Sequence, residues 1–142
     1  MSSQIFQQWF NLAPDGISTY FTDKKGQKFW FEWVEGLELY LHVTTYGRWV
    51  GKVEAEPTGD GGLDLIDIFV VDRRLRGCGV GSEMMKCLIK KARERNVRYI
   101  WGAIVPDEYT TKEYLIQFYR KHGFAISEDE KGDHSILLKL KG

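Results

Sequence analysis

Seven residues, Arg76-Gly77-Cys78-Gly79-Val80-Gly81-Ser82, stand between an apolar strand-like run and a strongly helical one. Three alternating glycines cannot pack a core, and each costs roughly 0.5–1 kcal/mol in regular structure. They do allow a sharp bend whose backbone N–H groups converge on one point. A helix opening there adds its own unpaired N–H groups and the positive end of its dipole. The chemistry expected of such a stretch is the holding of an anion, with phosphate the best match. Two other phosphate loops do not fit. A dinucleotide fingerprint needs Gly-x-Gly-x-x-Gly and a P-loop ends in Gly-Lys-Ser/Thr; neither spacing is present. A tight strand-to-helix turn without a ligand is the plain alternative, although one glycine suffices for that.

The surrounding elements place this stretch. Ile5–Leu12 reads as a short helix ending before Pro14. From Ile17 to Glu56, aromatic and β-branched runs alternate with turn signals: strands Ile17–Thr22, Lys28–Val34, Leu37–Thr45 and Arg48–Glu56, parted at Lys24-Lys25-Gly26-Gln27, Glu35-Gly36 and Tyr46-Gly47. Connections this short predict an antiparallel meander. Leu63–Val71 is a further apolar strand. Val80–Asn96 has helical spacing, with Val80, Met84, Met85, Leu88, Ile89 and Ala92 on one stripe. Tyr99–Val105 is a strand, and Thr110-Thr111-Lys112-Glu113 has the form of a capping box opening a helix that Gly123 closes. Phe124–Glu128 and Ser135–Leu140 form a last hairpin. Leu63–Val71, helix 80–96 and strand 99–105 make one βαβ crossover, so the glycine stretch lies at the carboxyl edge of a strand, where open α/β sheets bind ligands.

Composition narrows the function classes. The 142 residues fit one domain, 1–142, with a real core. Twenty Lys and Arg balance twenty Asp and Glu, so no bulk basic face exists for nucleic acid. No signal peptide precedes the domain and no apolar run could cross a membrane, which together predict a cytoplasmic protein. Cys78 and Cys87 read as reduced thiols, and His42, His122 and His134 lack ligand spacing, so no metal is expected.

Val71-Asp72-Arg73-Arg74-Leu75-Arg76-Gly77-Cys78-Gly79-Val80-Gly81-Ser82 resembles the acetyl-CoA-binding motif of the GNAT superfamily of N-acetyltransferases. The pattern Gln/Arg-x-x-Gly-x-Gly/Ala falls on Arg76, Gly79 and Gly81. Phe118-Tyr119-Arg120-Lys121-His122-Gly123-Phe124 is similar to the family's second helix signature, in which Tyr precedes a helix-ending Gly-Phe. The resemblance spans roughly Leu63 to Phe124. It implies an α/β (α+β) fold with a mixed, mostly antiparallel central sheet, a βαβ crossover at the cofactor site and helices packed on the faces. It also implies acetyl-CoA as co-substrate, its pyrophosphate held by the backbone of Gly77, Cys78, Gly79, Val80, Gly81 and Ser82 with Arg76 nearby, and its pantetheine arm along Phe69, Val70 and Val71. The activity implied is direct acetyl transfer to a primary amine of a small molecule or protein. A noncatalytic acyl-CoA-binding module on the same fold is the alternative, and homodimer formation is left open.

Such a transfer needs a neutral amine, a donor to the developing oxyanion and a proton for the departing thiolate. The family signature makes Tyr119 the proton donor; a core tyrosine is the other reading. For the base, Asp67 sits where many family members carry an acid, with a salt-bridged surface carboxylate as its alternative; Glu108 and His42 are weaker candidates. The oxyanion donor is expected near Val70 or Phe69. Strand alternation places Asp67 with Phe69 and Val71, and Asp64 with Ile66 and Ile68. Cys78 is read as loop packing, not as a nucleophile. Two departures matter. Lys112 stands where the family often has Asn, and an aromatic meander replaces the two helices that usually wall the acceptor site. Its Phe29–Trp33 segment reads as sheet core, with an acceptor groove or an interface as alternatives.

Overall fold

The computed structural model of the protein describes residues 18–34, 39–71, 79–107 and 110–140. The expected helix at Ile5–Leu12 and the turn at Glu35-Gly36 lie outside these residues. Within them, eight strands form one mixed sheet in the order β1-β2-β3-β4-β5-β6-β8-β7. Strands β1 (Ser18–Thr22) and β2 (Lys28–Val34) are joined by a turn that Asp23 ties together. Its Oδ1 accepts from the backbone N–H groups of Lys25 and Gln27, at 2.9 and 2.8 Å, while Gly26 takes a φ of 83°. Strands β3 (Leu39–Thr45) and β4 (Arg48–Pro57) meet at Tyr46-Gly47, both at positive φ. That is the turn geometry whose twist suits a two-residue hairpin.

Period-two alternation divides the meander, with one β-bulge at Val50 where β4 meets Val43 and Thr44. Phe29, Phe31, Leu41, Val43 and Val53 turn to one face and are at most 3% exposed. The register puts Trp30, Glu32, Tyr40, His42, Trp49 and Lys52 on the other. The buried face meets helix α1 (Val80–Glu94), whose stripe of Val80, Met84, Met85, Leu88 and Ala92 is buried. A Cβ added at Gly51 would lie 2.9 Å from the Phe69 carbonyl and 3.4 Å from Met84, so the sheet approaches this helix without a side chain between them. The cationic end of α1 is used too: Lys91 lies over the Trp33 ring, 5.5 Å from its centroid.

Strand β5 (Gly62–Val70) pairs antiparallel with β4 and parallel with β6 (Tyr99–Ala103), with α1 as the crossover between them. Helix α2 (Lys112–Lys121) follows, then β7 (Ala125–Glu128) and β8 (His134–Lys139), with β8 inserted beside β6. The cap of α2 is Thr111, whose side chain accepts from the Tyr114 N–H. This corrects the expected capping box: counted from Thr111, the third helical position is Tyr114, so Glu113 stands one place too early to reach back. Asp107 takes over the preceding turn, accepting from the Thr110 N–H and hydroxyl at 2.8 and 2.7 Å.

Two breaks interrupt the regularity of β5. Ala55 faces Leu65 across the ladder while Glu54 faces Asp67, so Ile66 is an extra residue, a β-bulge. Asp67 and Phe69 share a face as expected, but the bulge overturns the expected grouping of Asp64 with Ile66 and Ile68. Asp64 and Asp67 lie on the same face, opposite the helices, and Ile68 joins Leu63 and Leu65 on the helix side. The second break is in the parallel ladder, which ends at Leu65–Gly102. Beyond that pair β5 runs on to Val70, and among the described residues no strand accompanies Ile66–Phe69 on its β6 side.

Candidate active site

Helix α1 opens into this gap. Gly79 is its N-cap, at φ 86°, and no side chain caps the helix there. The Gly79 carbonyl accepts from the Glu83 N–H at 3.0 Å, which starts the helical ladder. The N–H groups of Val80, Gly81 and Ser82 precede that first bond and have no partner within the helix. Val80 is fully buried and anchors the turn from below. Gly81 faces α2, where a Cβ would lie 3.6 Å from the Phe118 ring. A groove of about 310 Å³ runs over this turn, bounded by Gly79, Gly81, Ser82, Tyr114, Gln117, Phe118 and Lys121. Arg76, Gly77 and Cys78, expected in the same cradle, lie outside the described residues.

A second, tighter cleft of about 80 Å³ continues the groove between β5 and α2, lined by Ile68, Phe69 and Val70 on one side and Tyr114, Leu115 and Phe118 on the other. Asp107 and Thr110 close its end. The antiparallel ladder decides which backbone groups face it. Val71 N–H donates to the Val50 carbonyl at 2.8 Å, and the Phe69 carbonyl points at Gly51. By alternation, the main-chain groups of Phe69 and Val71 serve β4, while those of Ile68 and Val70 turn away from β4, toward the cleft. Phe69 also lines the cleft while its ring lies 6.4 Å from that of Trp49, and Val71 is exposed at the strand's end.

Tyr119 comes from the last turn of α2 and is 6% exposed. The rings of Phe118 and Phe124 pack edge-on against it, with centroids 5.5 and 5.6 Å away. Burial, followed by the negative charge of Asp67, pushes its hydroxyl up to about 12. Tyr119 is therefore neutral, and a donor, at any physiological pH. Asp67 is closer to solvent, its side chain 45% exposed, and pairs with Lys52 at 3.5 Å. Lys52 also pairs with Glu54 at 3.5 Å. Burial works against the Lys52 charge, but Asp67 and Glu54 outweigh it and hold the amine above the usual lysine value.

The sequence from residue 4 to residue 124 matches the family model "Acetyltransferase (GNAT) family". The chain belongs to this family. Solved structures with the same fold include the GNAT domain of S. lividans PAT, at 14% identity and a TM-score of 0.74, covering 89% of this chain and 99% of that one. The paia N-acetyltransferase of Thermoplasma acidophilum, solved in complex with coenzyme A, matches at 15% identity and a TM-score of 0.61, over 72% of this chain and 60% of its own. A GNAT acetyltransferase from Elizabethkingia anophelis with acetyl-CoA bound matches at 13% and 0.61, over 73% and 77%. No curated protein matches the sequence.

In this GNAT domain the cradle residues Gly79–Ser82, the β5 segment Ile68–Val70 and the Tyr119 helix surround one continuous groove and cleft. Asp67 lies on the sheet face opposite the helices and reaches Tyr119 by its charge. Of the other two base candidates, only His42 is described. His42 is buried on β3 and burial pushes it down to about 4, so it is neutral at pH 7. Glu108 lies outside the described residues. Lys112 is the first residue of α2 and is partly buried. Sequence reasoning missed Glu32, opposite His42 on β2, whose carboxyl burial pushes up to about 7. The signal available was an acid between Phe31 and Trp33 in a strand. It also missed Lys121 and His122, which close α2 against Ser82.

Proposed function

We propose that the protein transfers an acetyl group from acetyl-CoA directly to a primary amine. The observation that carries this reading is the meeting of three pieces of structure around one cleft: a helix start at Gly79 without a side-chain cap, a strand edge with no neighbouring strand among the described residues, and the helix that carries the buried Tyr119 directly behind the cleft-lining Phe118. The coenzyme's groups fit these donors. The amides of Val80, Gly81 and Ser82 hold the diphosphate, each charge-assisted bond contributing roughly 1.5–3 kcal/mol against about 0.3–1 for the helix dipole. Arg76, Gly77 and Cys78 are assigned to the same cradle on the family motif alone. The β6-side edge of β5 around Ile68 pairs with the pantetheine amides as an added strand would. Two relatives solved with coenzyme A or acetyl-CoA bound support the assignment.

When bound, acetyl-CoA supplies an activated carbonyl and a thiolate leaving group. Tyr119 gives the sulfur a hydrogen bond. Full proton transfer from a phenol near 12 to a thiolate near 8.5 is uphill by roughly 5 kcal/mol. Tyr119 therefore acts as a donor whose proton is replaced in concert as the amine's proton leaves. Two protons leave the incoming ammonium: Asp67 is the carboxylate assigned to draw the first, before attack, exchanging its Lys52 partner for the acceptor, and the second, released as the C–N bond forms and the C–S bond breaks, restores Tyr119. The acceptor reaches Asp67 over the face of the meander, where the rings of Tyr40, His42, Trp49 and Phe69 follow one another at 6.4–6.5 Å spacing.

The test is a panel of amines and peptides offered with acetyl-CoA, read by release of free thiol. Turnover with any acceptor supports the reading. Coenzyme binding without turnover across the panel converts it to a noncatalytic acyl-CoA-binding module, and absence of binding removes it.

A further inference from the structure

The first turn of α1 and the last turn of α2 meet at Ser82. Its Oγ lies 3.1 Å from His122 Nε2 and 3.4 Å from Lys121 Nζ. Ser82 and Lys121 both edge the groove over the uncapped helix start. The His122 ring stacks obliquely on Phe118, 4.9 Å between centroids, which fixes it beside Ser82. We propose that Ser82, Lys121 and His122 form a cationic rim to the phosphate groove, and that an anion seated there draws a proton onto His122. This rests on the coenzyme reading above.

The argument is one of donors and charge. A serine hydroxyl has a single proton to give. With Nε2 of a neutral ring as acceptor, that proton is spent on His122. A protonated ring must donate instead, which turns the hydroxyl round and points its proton at the groove. One proton thus adds a cation to the rim and releases a donor. The charged groups facing His122 are Lys121 from α2 and Lys86 and Glu83 from α1. Burial, then Lys121 and Lys86, hold the imidazole below the usual histidine value, with Glu83 opposing them. Without an anion the ring is therefore neutral at pH 7. A diphosphate offsets the two lysines and favours the charged ring. Linkage is reciprocal, so the protonated protein must bind the coenzyme more tightly. Affinity is then highest below the free His122 value, falls as pH rises through the window between free and bound values, and is flat above it.

The test is calorimetric titration of the full chain with dephospho-coenzyme A, which keeps the diphosphate and lacks the separately titrating 3′-phosphate. Wild-type affinity should fall about tenfold per unit of coupling as pH rises through the histidine range and level off above it. Heats measured in buffers of different ionisation enthalpy should show net proton uptake. His122→Gln, which can still bond Ser82, should flatten the profile and abolish the uptake. Measurable affinity with a flat wild-type profile, or an equally steep profile in His122→Gln, overturns this inference and leaves the coenzyme reading standing. No affinity at any pH overturns both.

Discussion

The two halves of the sheet each carry a bulge but differ in how completely their ladders are closed. From β1 to β4 each strand is paired with its neighbours along its length, and the ladder closes again after one bulge at Val50 of β4. From β5 onward the ladder is left incomplete among the described residues: after a bulge at Ile66 the parallel pairing stops at Leu65–Gly102, and the N-cap of α1 is Gly79, which has no side chain to cap it. The end of the ladder and the start of the helix turn main-chain groups around Ile68 and at Val80–Ser82 toward the groove and cleft. Buried polar groups left in that condition cost roughly 1–3 kcal/mol each, so a fold carries them where a ligand completes them. The regular half supplies the rigidity that lets the irregular half stay open.

Substitutions can separate these roles. The largest effect is expected at Tyr119, on the irregular side. Tyr119→Phe keeps the ring packing against Phe118 and Phe124 and removes only the donor. Turnover should fall about a hundredfold or more while coenzyme affinity, read by titration, is unchanged; an unaltered rate would take Tyr119 out of the chemistry. Asp67→Asn should act less strongly, lowering kcat/KM about tenfold for amine acceptors with little change in stability, because the carboxylate is half exposed and its pairing with Lys52 is worth about 1 kcal/mol or less. A loss of stability without loss of rate would make Asp67 a structural partner of Lys52.

The regular half should show the smallest response, and a pH-dependent one. Glu32 titrates near 7 in the folded chain and at 4.5 without burial. Between those values the folded state holds the proton and the unfolded state has lost it. Stability contributed by Glu32 is therefore full below 4.5 and declines as pH rises through 7. His42, held near 4 against 6.5, contributes the opposite slope between those values, so the two partly cancel in the wild type. Thermal melts of Glu32→Gln against wild type isolate the carboxylate: the wild-type melting temperature should drop relative to the variant from pH 5 to pH 8. A constant difference would show that Glu32 is not desolvated.

Legibility in the sequence divides along the same line. The meander's turns announce themselves in Lys24-Lys25-Gly26-Gln27 and Tyr46-Gly47, and the helix stripes and Gly123 mark the helices, because each depends on residues close in the chain. The motif residues before α1 and around Tyr119 pointed to the family that the matched model establishes. The bulge was not legible. Asp64-Leu65-Ile66-Asp67-Ile68 reads as regular alternation, and only the register against Glu54 and Ala55 shows the extra residue. The loss of the β6 partner after Leu65, the raised Glu32 and the Ser82–His122 contact all depend on how distant elements dock. No local spacing encodes those distances.

The central claim is that the amides entering α1 grip a diphosphate and lay the rest of the coenzyme along the open edge of β5. Titrating the isotope-labelled protein with coenzyme A and following backbone amide resonances tests it directly. The account predicts the largest shifts at Val80, Gly81 and Ser82, with a second set at Ile68 and its neighbours on β5, and little change across β1 to β3. Saturating binding that leaves the α1 amides unmoved and shifts the meander instead would contradict it.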